Sequence, residues 1–528
     1  MPDVNRSRAA YAVFTATAIL LCAWFGSIFL RMDELSLRSG APSLEATYHA
    51  AWTMKVVSEA PMASHSLLPS VVLDPVAGDA LTWGATQPTE NGGLIYTSFP
   101  PAGFIAPLGV LAALGLPPTA QHLVIFNAVA GLVTACIMAL LLRETIRHSA
   151  GRRDLPVALS VLAPAFLAAS YLWTSEALLA HGAIYWAQSI SQAFLALSCL
   201  LFLRHQAYGS NTLQAIACSA LCAAISLLEW TGYVFSAGLI LILLFQSLSS
   251  GSRQRKQHLR LAAFIAGAVF AALIGTVIHY AVAIGFEPML DTALSRAERR
   301  SGLSDPLGSL MALPTAYLTS FGLLIPLAAF AYLRIRRLRA LLPPVSLTIL
   351  AASFAMIENL VLMDHALSYS FDRLKFSLPL FMLIAAWIAM QSNARALSTA
   401  GACAAMIAMS GLLFYELRTA PHSDWEAVQT QNRIILSSIH QDPVSNCAIY
   451  GHEKATRGYL NHLLGRDIYE RVKLRTLRDN ATKRNACAII YLEVSFPHRD
   501  LPRLENFLVY DVEGNLLRVS STNVETPK

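Results

Sequence analysis

The chain has 528 residues, of which 55% are hydrophobic and 14% are charged, and its mean hydropathy is +0.49. Soluble domains have about a quarter of their residues charged, so this composition excludes an ordinary soluble protein and indicates a polytopic membrane protein. The net charge of +6 lies in short Lys and Arg clusters between apolar runs, where it sets membrane orientation, and we predict no nucleic-acid partner.

Apolar stretches follow one another from residue 9 to residue 416. Each is long enough to cross about 30 Å of hydrocarbon as a helix. We interpret the first, which follows Arg6 and Arg8, as an uncleaved helix and not as a signal peptide. The predicted spans, about 11 in all, are 9–30, 121–142, 155–173, 181–203, 212–228, 231–248, 259–285, 308–333, 341–362, 374–391 and 398–416.

The basic clusters predict which side of the membrane each loop faces. The run 102–117 contains Pro107 and ends in Pro117-Pro118, so we predict a short helix on or in the outer surface and not a span. The main basic clusters then all lie in the cytoplasm, as the positive-inside rule requires. This orientation places the N-terminus inside and places loop 31–120 and the C-terminal domain outside.

Two motifs follow the first predicted helix. The stretch "LEATYHAAW" (44–52) carries an acidic residue followed by aromatic ones, and "YTSFPPAGF" (96–104) carries Pro100 and Pro101 directly before an apolar run. Pro100 disfavours helix at the residue before it, and Pro101 fits the first turn of a helix. The pair therefore predicts where the loop becomes a surface helix.

This order of features resembles the GT-C superfamily of integral-membrane glycosyltransferases, which includes protein mannosyltransferases, lipid A aminoarabinose transferases and oligosaccharyltransferase catalytic subunits. The resemblance implies an all-α polytopic membrane bundle. It also implies that a sugar carried on polyprenyl phosphate is transferred to an acceptor by a single inverting displacement, with an outer carboxylate acting as general base or orienting the nucleophile.

The resemblance suggests Glu45 as the first catalytic candidate, because Glu45-x-x-Tyr48 reproduces the acidic-aromatic step. The acidic pair Asp33 and Glu34 comes second. The family usually has an acidic pair where this chain has Leu44-Glu45, and a solvated loop carboxylate is the alternative at either place. Residues expected in the substrate cavity are Tyr48, His49, Tyr96 and Glu229.

A lipid-phosphate leaving group needs cations at the membrane surface. Candidates in predicted outer loops are Arg296, Arg299 and Arg300, spaced to share one helical face, and His365, Arg373 and Lys375. Contact with lipid headgroups is the alternative for both groups. No metal-ligand spacing accompanies His49, so we predict no metal; a divalent ion is possible for this chemistry but has no support in the sequence.

Two carboxylates lie next to predicted spans. Glu229 falls in "LLEWTGY" (227–233), predicted to be a tight turn between two spans, where it either lines the cavity or makes an interhelical hydrogen bond. Glu358 lies about a turn inside its helix, and we expect it to pair with a neighbour.

Residues 420–528 are predicted to form a small α/β domain, and residues 1–419 the membrane domain. Segments 446–451 and 486–492 are predicted to form buried strands, segment 453–465 an amphipathic helix and segment 507–521 a hairpin. Cys447 and Cys487 could form a disulfide if those strands are neighbours, or remain two thiols. We expect this domain to assist acceptor binding or stability.

The sequence thus predicts a multi-pass protein of the bacterial inner membrane that meets a polyprenyl-phosphate sugar, membrane lipids and a glycan, lipid or protein acceptor. A ligase or polymerase of lipid-linked polysaccharide is the alternative enzyme. A transporter would be expected to show an internal repeat and charges at the bilayer midplane, and neither is seen. A non-catalytic, lipid-binding protein is a further alternative.

Overall fold

A computed structural model describes residues 2–32, 45–75, 85–97, 100–149, 156–209, 211–338, 343–419, 448–451, 465–467, 469–470, 488–493, 506–511 and 516–520. Its α-helices are Pro2–Leu30, Glu45–Glu59, Met62–His65, Ala102–Ala113, Ala120–Ser149, Val157–Tyr171, Ser175–Ala180, Ala187–Tyr208, Thr212–Leu228, Thr231–Ser249, Ser252–Ile284, Phe286–Arg300, Pro306–Phe321, Leu324–Leu338, Pro343–Phe354, Ile357–Val361, Met363–Ser368, Ser377–Ala389 and Asn393–Thr419. A 3₁₀-helix covers Ser370–Phe376.

The protein is a polytopic membrane bundle, as predicted. Among the described residues, seven helices are long and apolar enough to cross a membrane on their own, or eight if one bent pair counts as a single span. The remaining predicted spans correspond to shorter apolar helices such as Thr212–Leu228. The predicted positions therefore match helices, but not every helix has the length of a complete span.

The prediction of one continuous helix over 308–333 is wrong. Helices Pro306–Phe321 and Leu324–Leu338 meet at an angle of 98°. The break is at Gly322, whose φ is +49°, a left-handed conformation that glycine adopts without a side-chain clash. The backbone N–H of Leu323 donates to Ser410 Oγ at 3.1 Å, so a neighbouring helix replaces a hydrogen bond that the break removes.

Helix Ala120–Ser149 lies at the centre of the packing. It contacts helices Ala187–Tyr208, Val157–Tyr171 and Ser377–Ala389. Its Asn127 side chain donates to the carbonyls of Gly182 and Ile184, both at 2.9 Å. Non-helical backbone buried in a membrane bundle needs such partners because no water is available to it.

The long loop before the second predicted span has helical and hairpin parts. Strands β1 (Thr86–Pro88) and β2 (Leu94–Tyr96) pair antiparallel. Helix Ala102–Ala113 begins directly after Pro101, which already has a helical conformation, so the expected helix start is confirmed. Gly103 allows this helix to pack closely, because a Cβ there would lie 2.7 Å from Ala187 Cβ.

The described C-terminal segments form strands β3 (Ala448–Gly451), β4 (Tyr469–Glu470), β5 (Ala488–Glu493), β6 (Asn506–Asp511) and β7 (Leu516–Ser520). These strands make one five-stranded sheet in the order β4-β3-β5-β6-β7. Strands β3 and β5 lie in the two segments predicted to be buried strands and are parallel neighbours, and β6 and β7 form the predicted hairpin. Cys447, Cys487 and most of the predicted helix 453–465 lie outside the described residues.

One contact joins a C-terminal segment to the long loop. The Asp467 carboxylate accepts hydrogen bonds from the backbone N–H groups of Leu73 at 2.9 Å and Asp74 at 2.7 Å. Asp467 is 5% exposed, and burial raises its pKa to about 6. A charged group is thus buried at the place where the two parts of the chain meet.

Candidate functional site

A tight helical hairpin places Glu229 at one end of the bundle. Helix Thr212–Leu228 ends at Glu229, which has extended backbone, and the next helix begins at Thr231. Gly232 permits the close turn, because a Cβ there would lie 2.3 Å from the backbone N of Ser226. The predicted turn is confirmed, and Glu229 is buried, with 2% of the residue exposed.

The other acidic and basic residues come from the connection between helices Pro343–Phe354 and Ser377–Ala389. This connection is made of the short helices Ile357–Val361 and Met363–Ser368 and the 3₁₀-helix Ser370–Phe376. Side chains three residues apart share a face of a 3₁₀-helix. Asp372 and Lys375 are therefore directed to the same place, whereas Arg373 between them is directed elsewhere.

Glu229, Glu358 and Asp372 form a carboxylate cluster. Each offers one oxygen within 4.8 Å of the others, and all three residues are buried. Lys375 Nζ contacts the cluster at 2.6 Å from Glu358 Oε2 and 3.5 Å from Asp372 Oδ1. Thr231 also donates to Glu358, and Lys375 donates to Thr231 at 3.0 Å.

The spacing of three carboxylates could suit a cation, but a protein ammonium already supplies the positive charge there. We therefore describe the carboxylate cluster, together with Lys375, as an ion-pair network. Burial, followed by the charges of Glu358 and Asp372, raises the pKa of Glu229. A protonated Glu229 reduces the repulsion among the three carboxyl groups.

Asp372 connects the carboxylate cluster to His365. Its Oδ2 lies 3.0 Å from His365 Nδ1, and its Oδ1 accepts from Gln188 Nε2 at 3.3 Å. Burial alone would raise the pKa of Asp372, but the charges of Lys375 and His365 outweigh it and hold the pKa below its usual range. Asp372 therefore stays ionised.

Two of the three predicted arginines of helix Phe286–Arg300 face this end of the bundle. Arg296 Nη2 donates to Tyr96 Oη at 3.2 Å. Arg300 is half-buried, and it interacts electrostatically with Tyr96, Tyr369 and Asp372. Burial lowers the pKa of Arg300, which means that its charge has lost part of its hydration. Arg299, by contrast, is exposed.

A small polar contact holds the next helix, Pro306–Phe321, against the helix that carries His365. Ser309 Oγ donates to Asp364 Oδ1 at 2.7 Å. Gly302, with φ +72°, lies against both groups, and a Cβ there would be 2.9 Å from each of the two oxygens. The turn after Arg300 is therefore fixed close to helix Met363–Ser368.

Arg373, a predicted phosphate ligand, lies in a separate network. It donates to Ser320 Oγ at 2.8 Å and to the carbonyl of Ala366 at 2.6 Å. Its Nε is 3.7 Å from Glu176 Oε1, and Arg418 Nη1 is 2.9 Å from Glu176 Oε2. The structure thus brings Lys375 and His365 together, and places Arg373 against Glu176.

The first-ranked catalytic candidates are described only in part. Glu45 is the first residue of helix Glu45–Glu59, and its side chain is not described. Asp33 and Glu34 lie outside the described residues. Tyr48 is buried within the helix, and His49 is the next residue along it. The neighbouring Thr47 accepts from the backbone N–H of Tyr185 at 2.8 Å, which fixes this helix against the bundle.

Sequence reasoning did not assign Asp372 or Tyr369 to the site. The available signal was the i, i+3 spacing of Asp372 and Lys375 in a segment too short for an α-helical span. The predicted pairing of Glu358 with a neighbour is confirmed, and the neighbour is Lys375.

No protein-family model matches the chain, and no curated protein matches it. Solved structures do match its fold. The ArnT of Cupriavidus metallidurans, solved with undecaprenyl phosphate bound, superposes with a TM-score of 0.58 at 12% identity, covering 98% of this chain and 99% of that one. The Archaeoglobus fulgidus oligosaccharyltransferase in the apo form has a TM-score of 0.54 at 10% identity, covering 97% and 75%.

The same archaeal enzyme, AglB, solved with an inhibitory peptide and a dolichol-phosphate, has a TM-score of 0.51 at 11% identity, again covering 97% and 75%. These are GT-C membrane glycosyltransferases. The chain therefore has the fold of these solved enzymes, which is the fold that the sequence resemblance implied.

Proposed function

We propose that this protein is a membrane glycosyltransferase that moves a sugar from a polyprenyl-phosphate donor to an acceptor on the extracytoplasmic face, by inverting displacement. The observation that carries the proposal is the position of Arg296 and Arg300 beside Tyr96, Tyr369 and the carboxylate cluster. Cations for an anionic leaving group and carboxylates for an acceptor thus lie at one end of an apolar bundle.

Arg296 and Arg300 bind the phosphate in this proposal. Their guanidinium groups can make charge-assisted hydrogen bonds to its oxygens, which stabilise the charge that develops as the bond to the sugar breaks. Tyr96 and Tyr369 add hydroxyl groups next to these arginines. Lys375 and Arg373 act indirectly, because their charges are paired with Glu358, Asp372 and Glu176.

On the acceptor side, Glu45 orients or deprotonates the nucleophile, with Asp33 and Glu34 as the second candidates. Helix Glu45–Glu59 packs against Ala120–Ser149 and Ala102–Ala113, so it belongs to the same folded unit. Glu229, together with Tyr48 and His49, is proposed to face the substrate. The acceptor is a glycan, a lipid or a protein.

The solved relatives support a lipid-linked donor, since ArnT was solved with undecaprenyl phosphate and AglB with a dolichol-phosphate. Because these two structures are 12% and 11% identical to this chain, they inform on its fold but do not identify the sugar or the acceptor. We infer a bacterial inner-membrane protein with the N-terminus in the cytoplasm and residues 420–528 in the periplasm, because that orientation keeps the basic loops inside.

The experiment is transfer of labelled sugars from a panel of polyprenyl-phosphate donors to envelope fractions by the purified full-length protein in liposomes. Arg300→Gln should weaken binding of labelled polyprenyl phosphate by about 10- to 100-fold, the effect of losing one charge-assisted hydrogen bond. Arg299→Gln is the matched control, because Arg299 is exposed on the same helix.

Glu45→Gln should abolish transfer while leaving polyprenyl-phosphate binding intact. Binding without transfer from any donor by the wild-type protein would indicate a non-catalytic lipid-binding protein. Equal binding by the Arg299 and Arg300 variants would contradict the proposed phosphate site. A reporter fused after Lys528 that is accessible from the cytoplasm would contradict the orientation.

A further inference from the structure

His365 and Asp372 form a buried dyad whose geometry is that of an acid–base pair. Nδ1 of His365 lies 3.0 Å from Asp372 Oδ2, and the two side chains are 5% and 1% exposed. Because an ionised carboxylate only accepts hydrogen bonds, Nδ1 must be the donor. The other ring nitrogen, Nε2, is then the basic one in the neutral imidazole.

The surroundings fix the imidazole in one orientation. The ring of Tyr369 packs on it with a centroid distance of 4.8 Å, and Phe371 lies at 6.5 Å. Gln188 and Lys375 hold the opposite oxygen of Asp372. Within the part of the chain that the structure describes, Nε2 of His365 makes no hydrogen bond. Asp372 therefore fixes the imidazole through Nδ1, and Nε2 is the ring nitrogen that can take a proton.

The charged and titratable groups around the dyad come from several elements. Helix Phe286–Arg300 contributes Arg300, which interacts with Tyr369 and Asp372. The His365 helix contributes Asp364, which is bonded to Ser309. Glu229, Glu358 and Lys375 lie on the far side of Asp372. Tyr369 thus packs on the imidazole and also interacts with the cation that we propose to bind the donor phosphate.

We propose that His365 is the general base that removes the proton from the acceptor, and that Asp372 is the residue that positions it. This rests on the proposed function and adds to it a group that sequence reasoning had placed with the phosphate ligands. Glu45 then has the role of orienting the nucleophile.

In the step itself, the acceptor oxygen or nitrogen forms a bond to the anomeric carbon while the bond from that carbon to the phosphate oxygen breaks. The electron pair of the broken bond stays on the polyprenyl phosphate, beside Arg296 and Arg300. The acceptor proton passes to His365 Nε2, and the resulting imidazolium is stabilised by the ionised Asp372. Water then takes the proton and restores the neutral base.

The test compares the pH–rate profile of sugar transfer by the full-length wild-type protein with that of His365→Gln, both in liposomes. Binding of labelled polyprenyl phosphate by the two proteins is measured in parallel. The wild-type kcat should fall as the pH is lowered, because a protonated imidazole cannot take the acceptor proton. His365→Gln should lose this pH dependence and lower kcat by about 10²- to 10⁴-fold, the usual contribution of a general base.

Polyprenyl-phosphate binding should change by less than about threefold in His365→Gln, since a uniform-binding role would raise KM and not lower kcat. His122→Gln, a change at a histidine elsewhere in the bundle, is the matched control. Asp372→Glu should retain part of the pH dependence of kcat that Asp372→Asn loses. This difference distinguishes a residue that positions His365 from one that only stabilises the fold.

An unchanged pH limb in His365→Gln would overturn the inference and leave the proposed function standing. So would a loss of phosphate binding with unchanged kcat, because His365 would then be a phosphate ligand. Absence of transfer by the wild-type protein from every donor would overturn the proposed function and the inference together.

Discussion

Lys375 Nζ lies 2.6 Å from Glu358 Oε2, and both side chains are almost fully buried, at 4% and 6% exposed. This ion pair joins the 3₁₀-helix Ser370–Phe376 to helix Ile357–Val361 and thereby closes the connection that carries His365 and Asp372. Desolvation makes such a pair costly to form, and removal of one partner leaves the other charge uncompensated.

Lys375→Met and Glu358→Gln should each therefore destabilise the protein by about 3–5 kcal/mol. The double variant should recover much of that loss, because it leaves no single unpaired charge at this contact. Thermal unfolding in one detergent, followed by a double-variant cycle, measures the effect. Additive losses would show that the two side chains do not act as a pair.

Glu229→Gln should cost less stability at low pH than at high pH. Burial and the two neighbouring carboxylates raise the pKa of Glu229, which favours the protonated side chain at low pH, and an amide is a near-isostere of that form. Glu358→Gln is the control, because Glu358 neutralises Lys375. Equal losses of unfolding temperature in the two variants would show that Glu229 is ionised in the native protein.

Glu176→Gln should destabilise the bundle more than Arg418→Gln. Glu176 is fully buried and neutralises Arg373 and Arg418 together, so its loss leaves two cations close to each other. Arg418 is 18% exposed, and without it Glu176 still has Arg373. We expect about 3 kcal/mol or more for Glu176→Gln, measured by thermal unfolding, and the opposite order would contradict the assigned network.

The contact of Asp467 with Leu73 and Asp74 should weaken as pH rises. The pKa of Asp467 is raised from 3.8 to about 6 on docking, so the docked form binds more protons between these values and loses stability as pH increases through them. The shift corresponds to about 3 kcal/mol above pH 6. Hydrogen exchange at Leu73 and Asp74 should therefore be slower at pH 5 than at pH 7, after correction for intrinsic rates.

Asp467→Asn should remove that pH dependence, because its amide does not titrate. If the variant keeps the same difference in protection between pH 5 and pH 7, another group controls the contact.

Gly103→Ala should destabilise the protein, whereas Gly109→Ala in the same helix should not. A Cβ at Gly103 would lie 2.7 Å from Ala187 Cβ, whereas nothing lies within 4 Å of one at Gly109. Overpacking costs about 1–3 kcal/mol, and alanine favours the helix at the open position. Thermal unfolding of the two variants, measured side by side, tests how helix Ala102–Ala113 packs.

The sequence by itself determined the features that depend on composition and local periodicity. Apolar run length predicted the helices of the bundle, Pro100-Pro101 predicted the start of the next helix, and "LLEWTGY" predicted the hairpin that carries Glu229. The two C-terminal motifs predicted strands that are indeed neighbours. Each of these predictions depends on interactions within one segment of the chain, namely backbone sterics and the need to bury apolar surface.

Only the tertiary structure decided which charges meet. His365, Arg373 and Lys375 all had the same predicted role, that of a phosphate ligand. In the structure each has a different partner: His365 pairs with Asp372, Lys375 with Glu358, and Arg373 with Glu176. The direction of each side chain depends on a 3₁₀ turn and on helices distant in the chain. A buried charge is stable only beside a partner, and that partner comes from whichever segment the fold places next to it.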